Sequence, residues 1–148
     1  MKRAHLSLAL AAGLALVFAA AAQAEIEPKY YRQMQDRAPE QATVRVTAVK
    51  ISVSREKHSS GSFTLVNTKV EAQAQVTAVA KTSTGLKAGD AIRIEYVSQR
   101  PEPAMAGPRP IPLLKAGETY PAFMLGVSRG LYGPAARGAS FEPLIEAK

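Results

Sequence analysis

The chain has 148 residues, with 19 Lys and Arg against 12 Asp and Glu, and a formal net charge of +7 at pH 7. It has no Cys, which excludes thiol catalysis, cysteine zinc sites, iron–sulfur clusters and haem attachment through cysteine. The basic residues are scattered, with no block of five or more. We therefore interpret the charge first as a solvated surface and second as a surface for anionic partners.

The first residues have the pattern of an export signal. Met1-Lys2-Arg3 is basic, residues 6–22 are almost unbroken apolar sequence, and Ala22-Gln23-Ala24 is a small-x-small cleavage site. We predict that residues 1–24 are a signal peptide and that the product is periplasmic or secreted. A transmembrane anchor is the alternative. The run is short for one, and no later run approaches the roughly 20 apolar residues of a membrane span.

Residues 25–41, EIEPKYYRQMQDRAPEQ, form a polar N-terminal segment. They predict one short helix around residues 29–36, which Pro39 ends. Tyr30, Tyr31 and Arg32 lie on this helix and are candidate partner-binding residues. An ordinary capping helix is the alternative, and we favour it slightly.

Residues 42–148 carry the alternation of β-strands. In ATVRVTAVKISVS the apolar phase shifts by one position between Ala48 and Val49, which predicts a β-bulge within a long strand. A polar hairpin tip, REKHSSGS, follows. Alternation resumes at Phe63, with an interruption expected at residues 67–69, and continues in AIRIEYV and TYPAFMLGV.

The tail after these strands is rich in Gly, Ala and Pro, with expected anchors at Leu131, Tyr132, Phe141 and Leu144. About five strands in sequence along a meander must close or pair to protect their edges. The fold that we predict is all-β, a small five-stranded OB-like barrel with a proline-rich loop and a short N-terminal helix. A small β-sandwich is the second choice.

The sequence Leu-Lys-Ala-Gly occurs twice, at residues 86–89 and 114–117, and an acid follows each copy. Val-Thr-Ala-Val also occurs twice, at 46–49 and 76–79, with a different spacing. Because no common period joins the pairs, we do not expect a duplicated domain. We interpret Leu-Lys-Ala-Gly as a turn whose Gly takes the left-handed conformation. Its acids are expected to bond nearby backbone or face solvent.

This order of features resembles the netrin-module/TIMP-like group of OB barrels, to which the tissue inhibitors of metalloproteinases belong. The bent strand VRVTAVKIS, the turn GLKAGD before IRIEY, and LLKAGETYPAFMLG carry the resemblance over residues 42–127. It implies an OB barrel that works as a binding module. It does not imply protease inhibition, because those inhibitors use an N-terminal Cys that this chain lacks.

Few groups in the chain are suited to catalysis. Removal of the predicted leader leaves His58 as the single histidine, at a Ser- and Gly-rich hairpin tip without a fixed partner. The acids are dispersed and form no metal- or phosphate-binding motif. We predict no catalytic residue, no metal site, no cofactor and no enzyme activity.

Residues 99–112 hold five of the ten prolines and predict an extended loop of polyproline character. Arg100, Met105 and Arg109 are its candidate partner-binding residues, because Met offers an adaptable apolar contact. A preformed extended segment also loses little entropy on docking. A stiff cover over the barrel end is an equal alternative.

These features predict an exported, non-catalytic binding or accessory module of an envelope protein complex. A binder of an anionic envelope saccharide or lipid headgroup is the alternative, and an enzyme is the third hypothesis. Nucleic acid is not an expected partner of an exported protein. In addition, Phe63, Tyr96 and Phe123 match the phase of the core rather than an exposed stacking platform.

Overall fold

A computed structural model describes residues 26–146, and the predicted signal peptide lies outside this range. The elements are α1 (Pro28–Arg37), β1 (Glu40–Lys57), β2 (Thr64–Lys81), β3 (Ala91–Glu102), β4 (Thr119–Ser128), β5 (Leu131–Pro134) and a 3-10 turn (Arg137–Ala139). Within residues 26–146 no helix has the length and apolar character needed to cross a bilayer.

The five strands close into a barrel in the order β1-β2-β3-β5-β4. All neighbours are antiparallel except β3 and β5, which are parallel. This is the order of a five-stranded OB-type barrel, so the predicted all-β small barrel is confirmed. The expected simple meander is wrong. The long β3–β4 loop (residues 103–118) carries the chain across the barrel so that β4 pairs with β1.

The predicted bulge in β1 is present. The register with β2 shifts between Val46 and Ala48, and earlier at Thr43/Val44. The expected interruption at residues 67–69 is wrong, because β2 is continuous there and pairs with both β1 and β3. Beyond the barrel, β1, β2 and β3 continue as a three-stranded sheet, which we call the arm (residues 50–57, 64–71 and 95–102).

The predicted loop at residues 99–112 begins later than expected, because residues 99–102 belong to β3 and pair with residues 64–67. Within residues 26–146, Arg93 and Ile94 are the only residues of β3 that pair with β5, so the rest of β3 is a sheet edge on that side. Pro101 therefore lies in the kind of edge position where its missing N–H is tolerated.

Two hydrophobic clusters hold the molecule together. The larger fills the barrel and includes Tyr96, Tyr132 and Phe141. The smaller lies between α1 and the C-terminal tail, and its buried members are Tyr31, Ala38, Phe123, Ala136 and Ala139. Leu144 is 50% exposed, so its prediction as an anchor is wrong.

The two Leu-Lys-Ala-Gly turns are the same device. Gly89 and Gly117 have φ of 95° and 86°, as predicted. The Gly89 N–H donates to the Val76 carbonyl at 2.7 Å, and the Gly117 N–H donates to the Val46 carbonyl at 2.8 Å. The N–H of each valine donates in turn to the backbone carbonyl of the residue after the glycine, Asp90 for Val76 and Glu118 for Val46, at 2.9 Å. Each Leu-Lys-Ala-Gly turn is therefore hydrogen-bonded to the first valine of one Val-Thr-Ala-Val segment: Gly89 to Val76, and Gly117 to Val46.

Candidate functional site

A groove of about 420 Å³ lies between the arm and the β3–β4 loop. Most of its lining side chains are apolar. The arm contributes Leu65, Val97, Gln99 and Pro101, and Phe63 directly precedes β2. The loop contributes residues 105–111, and Arg137 completes the wall. Met105 is 54% exposed at its rim. Mixed strand and loop walls with few polar groups are typical of a ligand or peptide site.

Arg109 fixes the loop wall of the groove to the rest of the protein. Its backbone N–H donates to the Tyr31 hydroxyl at 3.0 Å, and its guanidinium lies 4.5 Å from the centre of the Tyr31 ring. The guanidinium also donates to the Glu142 carboxylate at 3.0 Å. Since α1 and the tail both hold Arg109, this side of the groove is preformed.

The other end of the same loop is held by β3. The Ser98 hydroxyl donates to the Ile111 carbonyl at 2.6 Å, and the Tyr96 hydroxyl donates to the Pro112 carbonyl. The Leu114 N–H donates to the Tyr96 hydroxyl at 3.2 Å. Burial raises the pKa of Tyr96 to about 12, so this hydroxyl stays a neutral donor at neutral pH.

The structure brings two of the three loop candidates into the groove. Met105 and Arg109 line it, whereas Arg100 does not. Gln99 and Pro101 both face the groove, and successive side chains of a strand alternate between faces. Arg100 therefore points to the opposite face of the arm, where its guanidinium lies 3.4 Å from Glu102.

The N-terminal candidates have mostly structural contacts. Tyr31 is 1% exposed and acts on the groove only by holding Arg109. Arg32 bonds Asp36 at 2.9 Å and the Ile145 carbonyl at 3.1 Å. Tyr30 is half exposed beside Lys29. In this arrangement α1 packs against the C-terminal tail and Phe123 of β4.

Sequence reasoning missed Gln35, which ties α1 to the tail. Its side-chain amide donates to the Ala139 carbonyl at 3.0 Å and to the Pro143 carbonyl at 3.1 Å. Its oxygen accepts from the Ile145 N–H at 2.9 Å. A polar residue within a short polar helix gives no sign in the sequence that it is fully buried.

The arm wall of the groove was also missed, although the sequence holds a signal for part of it. Val97 is out of phase with Ile92, Ile94 and Tyr96, which face the core. A single apolar residue off the core phase is common on a protein surface, so this signal alone does not predict a groove. Phe63 was expected in the core, but it is half-buried in the groove and stacks on His58 with 4.3 Å between ring centres.

Glu40, the first residue of β1, is fully buried. Its carboxylate accepts from the Thr82 and Ser83 hydroxyls at 2.6 and 2.7 Å and from the Ser83 and Thr84 N–H groups at 2.9 Å. Burial alone would raise the pKa of Glu40, but these hydrogen bonds outweigh it and hold the pKa below its ordinary value. Such a saturated carboxylate is a structural group rather than a catalytic acid.

The hairpin tip holds a short chain of hydrogen bonds. His58 Nδ1 lies 2.9 Å from the Ser60 hydroxyl, which lies 2.7 Å from that of Ser62. These contacts are exposed and local to the turn. Within residues 26–146, no group of three or more His, Cys, Asp or Glu side chains is placed to hold a metal ion.

A second depression, of about 460 Å³, lies on the outer face of the barrel beside the β4–β5 turn. Its polar lining comes from Thr47, Gln73, Gln75, Arg93 and Arg129, and no carboxylate lines it. Two guanidinium groups beside two amides form a lining suited to an anionic or hydroxylated ligand.

Comparison with known proteins gave no match to a family model, to a curated protein or to a solved structure. The resemblance to the netrin-module/TIMP-like group therefore stays a prediction from the sequence.

Proposed function

We propose that the chain is a non-catalytic binding module of an envelope protein complex, and that its groove receives an extended apolar segment of a partner protein. The apolar groove against the arm, with Met105 exposed at its rim, is the observation that carries the proposal. The predicted export signal supports the location in the envelope.

Preorganisation supports binding at this site. Contacts from Tyr31 and Glu142 hold Arg109, and the Ser98 hydroxyl holds the Ile111 carbonyl. A wall fixed before the partner arrives loses little conformational entropy on association. Arg137, also in the lining, would supply donors for carbonyl groups of the partner.

The lining also supports a non-catalytic role. Its polar members are Gln99, Arg109 and Arg137, and the rest are apolar side chains and Gly107. Nucleophilic or general-base catalysis needs a Ser, Thr, Cys, His or carboxylate within reach of the substrate. None lines this groove.

The test is affinity capture from envelope extract with the tagged chain, comparing Met105→Glu with Leu113→Glu. Leu113 is exposed on the same loop but lies outside the groove. A charge at the apolar contact should lower recovery of a groove partner at least about tenfold, while Leu113→Glu should leave it unchanged. Equal recovery with both variants would overturn the groove as the binding site.

Binding of an anionic saccharide or lipid headgroup is the second candidate, favoured by the arginine-lined depression at Arg93 and Arg129. The same capture separates the two proposals. A ligand of the depression should be retained by Met105→Glu, lost in Arg129→Ala and weakened steeply by salt. A groove partner should show the opposite pattern with the two variants and a weaker response to salt.

A further inference from the structure

The second half of β1 is a free sheet edge. Among residues 26–146, β4 pairs with β1 only at residues 40–45, and the turn at Gly117 takes the next position, Val46. From Lys50 to Lys57 the strand pairs, within the part of the chain that the structure describes, with β2 alone, and all of these residues are exposed.

The direction of the backbone groups along this edge follows from the register. The His58 N–H donates to the Phe63 carbonyl at 3.0 Å, and the pairing from Ala48 to Lys57 contains no shift. Bonding to a neighbour alternates along an antiparallel strand. Counting back from His58, the N–H and C=O groups of Ile51, Val53 and Arg55 point to the free edge.

This edge lacks most devices that discourage pairing. It is regular between Lys50 and Lys57, it contains no Pro, and Ile51 and Val53 are 47% and 55% exposed on one face. Long, regular edges of this kind are templates for another strand. Lys50 and Glu56 are equally distant from Val53 along the strand. In an antiparallel pair centred on Val53 they would therefore lie opposite each other and attract a second copy of the strand.

We propose that this edge pairs antiparallel with the same edge of a second copy of the chain, across a two-fold axis at Val53. Lys50 of each copy then lies opposite Glu56 of the other, so that one ion pair forms twice. Ser52 lies opposite Ser54, and the two Val53 residues face each other. The two arms become one continuous six-stranded sheet.

The charges select this register over its neighbours. Edge-facing residues must lie opposite edge-facing residues in an antiparallel pair, so the axis falls on a residue. An axis at Ser52 or Ser54 leaves Lys50 and Glu56 without a charge opposite them, and an axis at Arg55 sets two arginines against each other. The axis at Val53 pairs opposite charges.

Both charges are available for this contact. Within the described part of the chain, neither Lys50 nor Glu56 has an opposite charge within 4.0 Å, whereas the neighbouring Lys69 and Glu71 pair with each other at 3.3 Å. Seven paired residues on each side (50–56) make a small interface. We therefore expect a weak dimer, with a Kd in about the micromolar to millimolar range.

Charge exchange measured by sedimentation equilibrium tests the proposal. Lys50→Glu and Glu56→Lys should each weaken dimerisation about tenfold or more, because each sets two like-charge pairs in the interface. The double variant should restore it. Net charge cannot produce this pattern, because the two single changes move it in opposite directions. A monomer at every accessible concentration, or a double variant as weak as the singles, would overturn the proposal.

Cysteine cross-linking tests the register. The chain has no Cys, so Ser52→Cys and Ser54→Cys each add a single thiol. Opposed residues that do not share hydrogen bonds are about 4.5 Å apart between Cα atoms, which a disulfide can span. A mixture of the two variants should form the mixed disulfide, and neither variant alone should cross-link as readily. Faster cross-linking of Ser52→Cys alone would refute the axis at Val53.

Discussion

The two halves of β1 have the same sequence rhythm and opposite surroundings. In the first half Val44 and Val46 are fully buried, and the strand has a neighbour on each side. In the second half Ile51 and Val53 are about half exposed, and among residues 26–146 the strand pairs with β2 alone. Alternation of apolar residues therefore indicates a strand and which side chains share a face. Whether that face is buried depends on whether other parts of the protein pack against it.

Acidic residues show the same contrast. Glu40 in the first half has no exposed surface and accepts four hydrogen bonds, whereas Glu56 in the second half is exposed. The first half uses its carboxylate to hold residues 82–84, which follow β2. The second half leaves its carboxylate free, which is the state that an interaction surface needs.

The largest expected effect is at Glu40. Glu40→Ala should lower the free energy of unfolding by about 3 kcal/mol, because it removes a buried carboxylate that accepts hydrogen bonds from the Thr82 and Ser83 hydroxyls and the Ser83 and Thr84 N–H groups. Glu40→Gln keeps one acceptor oxygen and should lower it less. Denaturant unfolding at neutral pH measures both, and an Ala variant as stable as the wild type would show that water replaces the carboxylate freely.

The pH dependence of stability measures how much the negative charge of Glu40 contributes, apart from its hydrogen bonds. The pKa of Glu40 in the folded protein is below its ordinary value of 4.5, so its ionised form contributes stability above that value. The contribution is lost as pH falls from about there through the folded-state pKa. The stability advantage of the wild type over Glu40→Gln should therefore shrink on acidification below pH 4.5 and be constant above it.

Features that depend on a few adjacent residues could be predicted from the sequence. Features that depend on which distant segment packs alongside could not. The bulge after Val46 and the left-handed Gly89 and Gly117 could be predicted, because phase shifts and glycine turns act within a few residues. Strand β5 could not, because four residues beside a parallel neighbour carry no alternation to detect. The groove wall at Val97 depends on where the β3–β4 loop folds back, and periodicity does not encode that placement.

A matched pair of core and surface valines measures the contrast within β1 directly. Val44→Ala should cost about 2 kcal/mol of unfolding free energy, because it opens a cavity in a packed core. Val53→Ala should change it by less than about 0.5 kcal/mol. Chemical denaturation of dilute protein, where a weak dimer dissociates, is the appropriate measurement. A cost at Val53 comparable to that at Val44 would mean that a layer covers the arm in solution.

The smallest effect concerns the turns that receive the two Val-Thr-Ala-Val strands. Gly117→Ala and Gly89→Ala should each lower the free energy of unfolding by about 1 kcal/mol, because both glycines have positive φ. No steric clash adds to this cost, because an added Cβ meets nothing within 4 Å. Gly107 also has open space around it but no positive φ, so Gly107→Ala is the control and should be near neutral. If the turns are equivalent, their costs should agree within about 0.5 kcal/mol. A larger cost at Gly117 would show that its bond to Val46 also holds the boundary between the buried and the free half of β1.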